Sequence, residues 1–198
     1  MKTFILFLTL ALATLALAQG GAAAKWTITE GISTPESAYV DTASGFLFIS
    51  QVVGQPNEKD GKASVFADGP DLEWPNGLLV DGGRLIVAAW GKPEADFSTK
   101  APGRVFALDL KTQRKTLITP KPAGNFDGIE SDGKGGFLAT DYLAGKLLRI
   151  MPNGDVRLVR QFMQGAADLA FVPKSNLAIV PHMNENRIAA WDISDALR

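Results

Sequence analysis

FDGIESDGKGGFLATDYLAGKLLRI, residues 126–150, decides how the rest of the chain is read. It opens on Asp127-Gly128, runs through a short alternating segment, turns at DGKGG and returns through the β-favouring Phe137-Leu138-Ala139-Thr140 to Asp141. Short alternating runs bounded by glycine-rich turns are the pattern of a tight β-hairpin, here with an acidic residue at each open end.

The same pattern recurs three times: PESAYVDTASGFLFISQ from Pro35, PNGLLVDGGRLIVAAW from Pro75 and AADLAFVPKSNLAIVPH from Ala166. Superposed, the four place Glu36, Asn76, Asp127 and Asp168 at one position, 40, 51 and 41 residues apart. A repeat of about 40–50 residues in an all-β pattern is the length of a propeller blade, four short strands with their turns. The expected architecture is therefore an all-β propeller of four recognisable blade-like repeats. Lys25 to Thr29 alternates as a strand yet belongs to no unit begun before it, while the last unit runs out of chain after Asp192. The two deficits cancel if the N-terminal strand completes the last blade. The expected outer strand of the first unit is Ala63 to Ala67, and no stretch past residue 18 sustains a helical period over three turns.

In a propeller the first strand of each blade lines the channel, so the four aligned polar residues would converge. Carboxylates confined together repel, and one takes up a proton unless a cation lies between them. Their donors are hard oxygens, suited to Ca²⁺, Mg²⁺ or Mn²⁺. The plainer reading is that Asp and Asn before glycine are turn formers. Antiparallel geometry brings the end of each second strand beside the start of the first. Trp90, Asp141, Tyr142 and His182 are thereby expected at the same mouth. The lone histidine, His182, serves as a base, a hydrogen-bond donor or a packed rim residue. Trp90 and Tyr142 either stack on a ligand or pack between blades. One histidine excludes a three-His zinc site, and no GxSxG motif accompanies it.

The chain has 198 residues, 46% hydrophobic and 21% charged, with a formal net charge of −1, so no basic surface points to nucleic acid. Cysteine is absent, which excludes disulfides and thiolate metal sites. Lys2, the apolar run Phe4 to Leu17 and Ala16-Leu17-Ala18 before Gln19 have the form of a secretory leader. Residues 1–18 are expected to be removed, leaving one domain over 19–198 with no membrane span, in the periplasm or secreted.

The motifs TPESAYVD, WPNGLLVDGGRLIVAAWG, FDGIESDGKGGFLATDYLAGKLLRI and GAADLAF with IVPHMNENRI together resemble the gluconolactonase, senescence-marker-protein and luciferin-regenerating-enzyme β-propellers, particularly their secreted bacterial branch. The resemblance covers most of residues 33–192. It implies a six-bladed propeller holding one divalent cation, calcium first with zinc, manganese or magnesium as alternatives, and hydrolysis of a small-molecule lactone or ester. It implies Glu36, Asn76 and Asp127 as metal ligands and Asp127 as catalytic base; Asp168 and His182 come from the repeat alone. This chain has four units, not six, and a short loop between Val53 and Pro75 replaces roughly two blades. A further channel Asn and a substrate-contacting Arg of the family have no counterpart. A non-catalytic propeller binding a small ligand or peptide is the alternative expectation.

Overall fold

The computed structural model describes residues 23–41, 46–51, 67 and 69–198. The expected leader and nearly all of the expected strand at Ala63 to Ala67 lie outside the described residues. Within them the chain is all-β: fourteen strands and four short 3₁₀ turns, with no α-helix among the described residues. No helix there is long and apolar enough to cross a membrane.

The strands form one two-stranded and three four-stranded antiparallel sheets. The first sheet pairs β2 (Pro35–Asp41) with β3 (Phe46–Gln51). A second contains β4 (Pro75–Asp81), β5 (Arg84–Ala89), β6 (Val105–Asp109) and β7 (Lys115–Leu117) in sequence order. The third contains β8 (Phe126–Ser131), β9 (Phe137–Asp141), β10 (Lys146–Ile150) and β11 (Val156–Gln161), again in order. In the last, β12 (Ala170–Val172), β13 (Leu177–His182) and β14 (Arg187–Asp192) are followed by β1 (Trp26–Ile28) as the fourth strand. That strand is the N-terminal segment whose alternation had no unit of its own: Thr27 pairs with Ala189 and Ile28 with Ile188.

Successive sheets pack face to face, which is why their inner strands read as nearly continuous apolar runs rather than strict alternation. In β5, Ile86 and Ala88 join Phe126, Ile129, Phe137 and Ile150 of the third sheet in one core. Val87 and Ala89, one residue out of phase, fill a second core on the opposite face with Phe106 and Leu108. The third sheet meets the fourth through Leu138 and Leu147 against Leu169, Ala178 and Val180. The fourth meets the first through Ile179, Ile188 and Ala190 against Ile32 and Ala38. A buried ion pair ties the third sheet to the chain end: Arg149 Nε lies 2.9 Å from Asp132 Oδ2 and its Nη1 donates to the Ala196 carbonyl.

The first strands of the sheets stand side by side, β4 against β8, β8 against β12 and β12 against β2. Two glycines allow this approach. A Cβ on Gly77 would meet the Asp127 carbonyl at 2.6 Å, and one on Gly128 would meet Cα of Asp168 at 2.5 Å. Both follow directly on an aligned polar residue, so the PNG and FDG motifs carry a steric requirement as well as a polar side chain.

Candidate functional site

A register shift sits at the same place in three inner strands. In β2 it falls between Pro35 and Ser37, in β4 between Pro75 and Gly77, and in β8 between Phe126 and Ile129. The residues skipped by the ladder are Glu36, Asn76 and Asp127 with Gly128. Bulges of this kind re-aim a side chain out of the strand's alternation. In β8 the extra backbone is satisfied locally, because Gly128 N–H donates to Thr140 Oγ1 at 2.9 Å in the buried interior. Asp168 lies just before β12, and its N–H donates to the Glu36 carbonyl at 2.9 Å.

The side chains that leave the ladder act on one another. Burial pushes the Asp127 carboxyl up to about 7, and the negative charges of Asp168 and Glu36 push in the same direction. A hydrogen bond from the Asn76 side chain and the nearby Asp168 backbone N–H oppose them. Asn76 Nδ2 also reaches the Phe126 carbonyl at 3.4 Å. The four residues aligned from the repeat are thus brought together. Asp127 behaves as a group whose negative charge is incompletely compensated.

A fourth carboxylate, Glu130, belongs with them and is not visible in the alignment of repeats. It too is raised to about 7, mainly by burial and then by Asp168. Its place on the inner strand, three residues after Asp127, was the available signal. Regular alternation would have put Asp127 and Glu130 on opposite faces, and the shift between Phe126 and Ile129 breaks that alternation.

The candidates from the mouth divide. Tyr142 lies beside the cluster: its hydroxyl is raised by burial and then by the charge of Asp127, and it donates to Asn184 Oδ1 at 3.0 Å. Trp90 packs against Tyr142 with ring centroids 5.7 Å apart and planes tilted by 45°, and its buried Nε1 has no hydrogen-bond partner among the described residues. Asp141, raised by burial, instead fastens a turn by accepting the Ala144 N–H at 3.0 Å. His182 is buried in the fourth sheet, edge-on to Phe162 at 4.8 Å and beside Trp191. Burial, helped by Arg187, holds its imidazole down at about 3. The ring is therefore neutral at physiological pH, and the 3.4 Å approach of Nδ1 to Glu185 is a contact between dipole and charge rather than an ion pair. Neither ring nitrogen has a hydrogen-bond partner among the described residues.

Among the described residues no three His, Asp or Glu side chains form a ready-made metal cage. The donor chemistry nonetheless fits a hard divalent cation. Glu36, Asp127 and Asp168 supply carboxylate oxygen, and the Asn76 amide presents Oδ1 when turned about its last bond.

No protein-family model and no curated protein matches the sequence. Among solved structures the chain is similar to a streptogramin B lyase at 14% identity and TM-score 0.49, over 85% of this chain and 54% of that one. It is similar to a gluconolactonase from Xanthomonas campestris at 14% identity and TM-score 0.45, over 59% and 36%. It is also similar to a chain of a nidogen/laminin complex at 13% identity and TM-score 0.49, over 62% and 44%. The lyase and the gluconolactonase are β-propellers. The chain spans about a third to a half of the length of these proteins.

Proposed function

We propose that this chain is a divalent-metal-dependent hydrolase of a lactone or related ester, gluconolactonase-like in chemistry. The observation that carries the reading is the shared register shift, which delivers Glu36, Asn76 and Asp127 from three sheets toward Asp168. On this reading the sheets are four blades of a ring fastened by β1, and the leader sends the protein to the periplasm or the medium.

Glu36, Asn76 and Asp127, with Asp168 beside them, would hold the cation, calcium first. When bound, such a cation supplies Lewis-acid polarisation of a carbonyl. Asp127 takes the proton from the attacking water, the acyl carbon–oxygen bond of the ring breaks, and the proton passes to the departing alkoxide, leaving a hydroxy acid. General-base catalysis of this kind contributes about 10²–10⁴ in rate. Tyr142 lines the approach and keeps its proton, since its hydroxyl is held above the ordinary range.

The test is lactone hydrolysis by the purified protein with calcium and with EDTA, alongside Asp127→Asn. The expectation is turnover that needs the cation and falls at least 100-fold in the variant. Full metal-dependent turnover by Asp127→Asn would overturn the mechanism. A second reading is a ligand-binding propeller without catalysis, motivated by the lack of a counterpart to the family's substrate-contacting Arg. It predicts binding with no multiple turnover of any lactone.

A further inference from the structure

Beside Asn76 lies a cleft of about 310 Å³ lined by Trp74, Pro75, Asn76, Trp90, Pro93 and Phe97. None of its walls is a charged side chain. Three are aromatic and two are proline, and two of the aromatics are turned to solvent: Trp74 is 43% exposed and Phe97 71%. Such rings leave water cheaply only when something apolar covers them.

The backbone holds both exposed rings in costly conformations. Trp74 has φ 58° and Phe97 φ 63°, left-handed values that bulky residues rarely adopt. Such conformations persist only where the surroundings enforce them. The enforcement is visible. Trp90 N–H donates to the Trp74 carbonyl at 2.8 Å, and Gly91 N–H donates to that of Glu73 at 2.9 Å. The Glu73 carboxylate is in turn gripped by Arg104 and Lys115 at 3.1 and 3.0 Å. On the other wall, Glu94 N–H donates to Ser98 O at 2.7 Å and Phe97 N–H to Glu94 O at 3.0 Å, while Asp96 accepts from Ser98. Asn125 bridges the two walls, donating to Trp90 O and Thr99 Oγ1 at 2.7 Å each.

The cleft adjoins the carboxylate site at Asn76. Asn76 belongs to both, and Trp90 packs at a tilt against Tyr142, which feels the charge of Asp127. Trp90 also brings a buried indole N–H with no partner among the described residues.

We propose that the Trp74–Trp90–Phe97 cleft binds the apolar ring of the substrate, so that the preferred substrates are aromatic or alicyclic lactones and esters rather than polyhydroxylated sugar lactones. This names the substrate class of the hydrolase reading and rests on it. A volume near the lower end of small-molecule pockets, about 300 Å³, accommodates one ring system with a short arm. Sugar hydroxyls buried against Pro93 and Phe97 would find no partner there.

The experiment uses dihydrocoumarin and δ-gluconolactone as probes on the full chain, with Phe97→Ala, Trp74→Ala and Asp127→Asn. Phe97 is exposed, so its truncation leaves the core intact. Expected are a kcat/KM for dihydrocoumarin at least tenfold above that for gluconolactone, and a KM raised at least fivefold in Phe97→Ala with kcat nearly unchanged. Binding of dihydrocoumarin to Asp127→Asn, followed by tryptophan fluorescence, separates the two claims. Binding that Phe97→Ala and Trp74→Ala each weaken at least fivefold, without turnover by the parent protein, would keep the cleft and sink the hydrolase. Efficient gluconolactone turnover indifferent to Phe97→Ala would keep the hydrolase and sink the cleft. Neither binding nor turnover would sink both.

Discussion

Asp127 holds its proton to about pH 7 because it is buried and faces Asp168 and Glu36, and Glu130 does so for the first two of the same kinds of reason. Both acids bind protons more tightly folded than unfolded. Their stabilisation is complete below the unfolded carboxylate range and is lost as pH rises through about 7. His182, depressed to about 3, works the other way and costs stability as pH falls below its unfolded value near 6.5. Between pH 6.5 and 8 the folded-state histidine stays neutral and only the last half of its unfolded-state titration remains, which is smaller than the effect of two carboxylates, so the carboxylates dominate. The expected outcome in EDTA is a Tm lower at pH 8 than at pH 6.5. A fall of about 2–4 °C corresponds to 1 kcal/mol in a chain of this size. Asp127→Asn should flatten the dependence, and saturating calcium should raise the Tm at pH 8 more than at pH 6.5. A Tm that rises over that interval in EDTA would contradict this account of the cluster.

At the scale of the element, β8 is where sequence and geometry interlock. Its register shift frees Asp127, Thr140 satisfies the displaced Gly128 N–H, and the absence of a side chain at Gly128 lets Asp168 stand against it. Gly128→Ala would drive a methyl into the Cα and carboxylate of Asp168, backbone and site at once. Overpacking of this kind costs about 1–3 kcal/mol. The expected result is a Tm lowered by several degrees together with loss of the calcium response, measured by thermal unfolding with and without the ion. Gly83, whose added Cβ meets nothing within 4 Å, is the control: Gly83→Ala should leave the calcium response intact. Equal responses in the two variants would mean that the β8–β12 approach does not shape the site.

For the whole molecule, the decisive contact joins its two ends. β1 supplies the outer strand of the last sheet, and Trp26 and Ile28 pack on the core formed by Ile179, Ile188 and Ala190. Few local contacts hold a three-residue strand, so the pairing depends on these side chains and on Lys25 N–H donating to Ala190 O at 2.7 Å. Truncating both, as Trp26→Ala with Ile28→Ala, removes two half-buried apolar groups, each worth on the order of 1–2 kcal/mol at partial burial. The Tm should fall by about 4–16 °C. An unchanged Tm would show that β1 does not fasten the fold.

Much of this was legible along the chain. The hairpins at 75–89, 126–141 and 166–182 lie where alternation and glycine turns put them, and the N-terminal strand fills the deficit in the last sheet. The register of Glu36, Asn76, Asp127 and Asp168 was readable too, because strand periodicity and turn chemistry are local properties carried by neighbouring residues. What depended on tertiary structure was which side chains meet. Glu130 joined the cluster through a register shift that breaks alternation. His182 and Asp141 stand at the expected strand ends, beside Ala166 and Phe126, but only packing made the first a buried neutral residue and the second a turn fastener. The aromatic cleft arose from Trp74 and Phe97, which belong to no repeat and come together only through the folding of two loops over β5. Sequence alone determined the strands and the spacing of their polar residues. Convergence, burial and proton affinity were decided by the packing of sheet on sheet, because they depend on residues 40 to 130 positions away that no local pattern records.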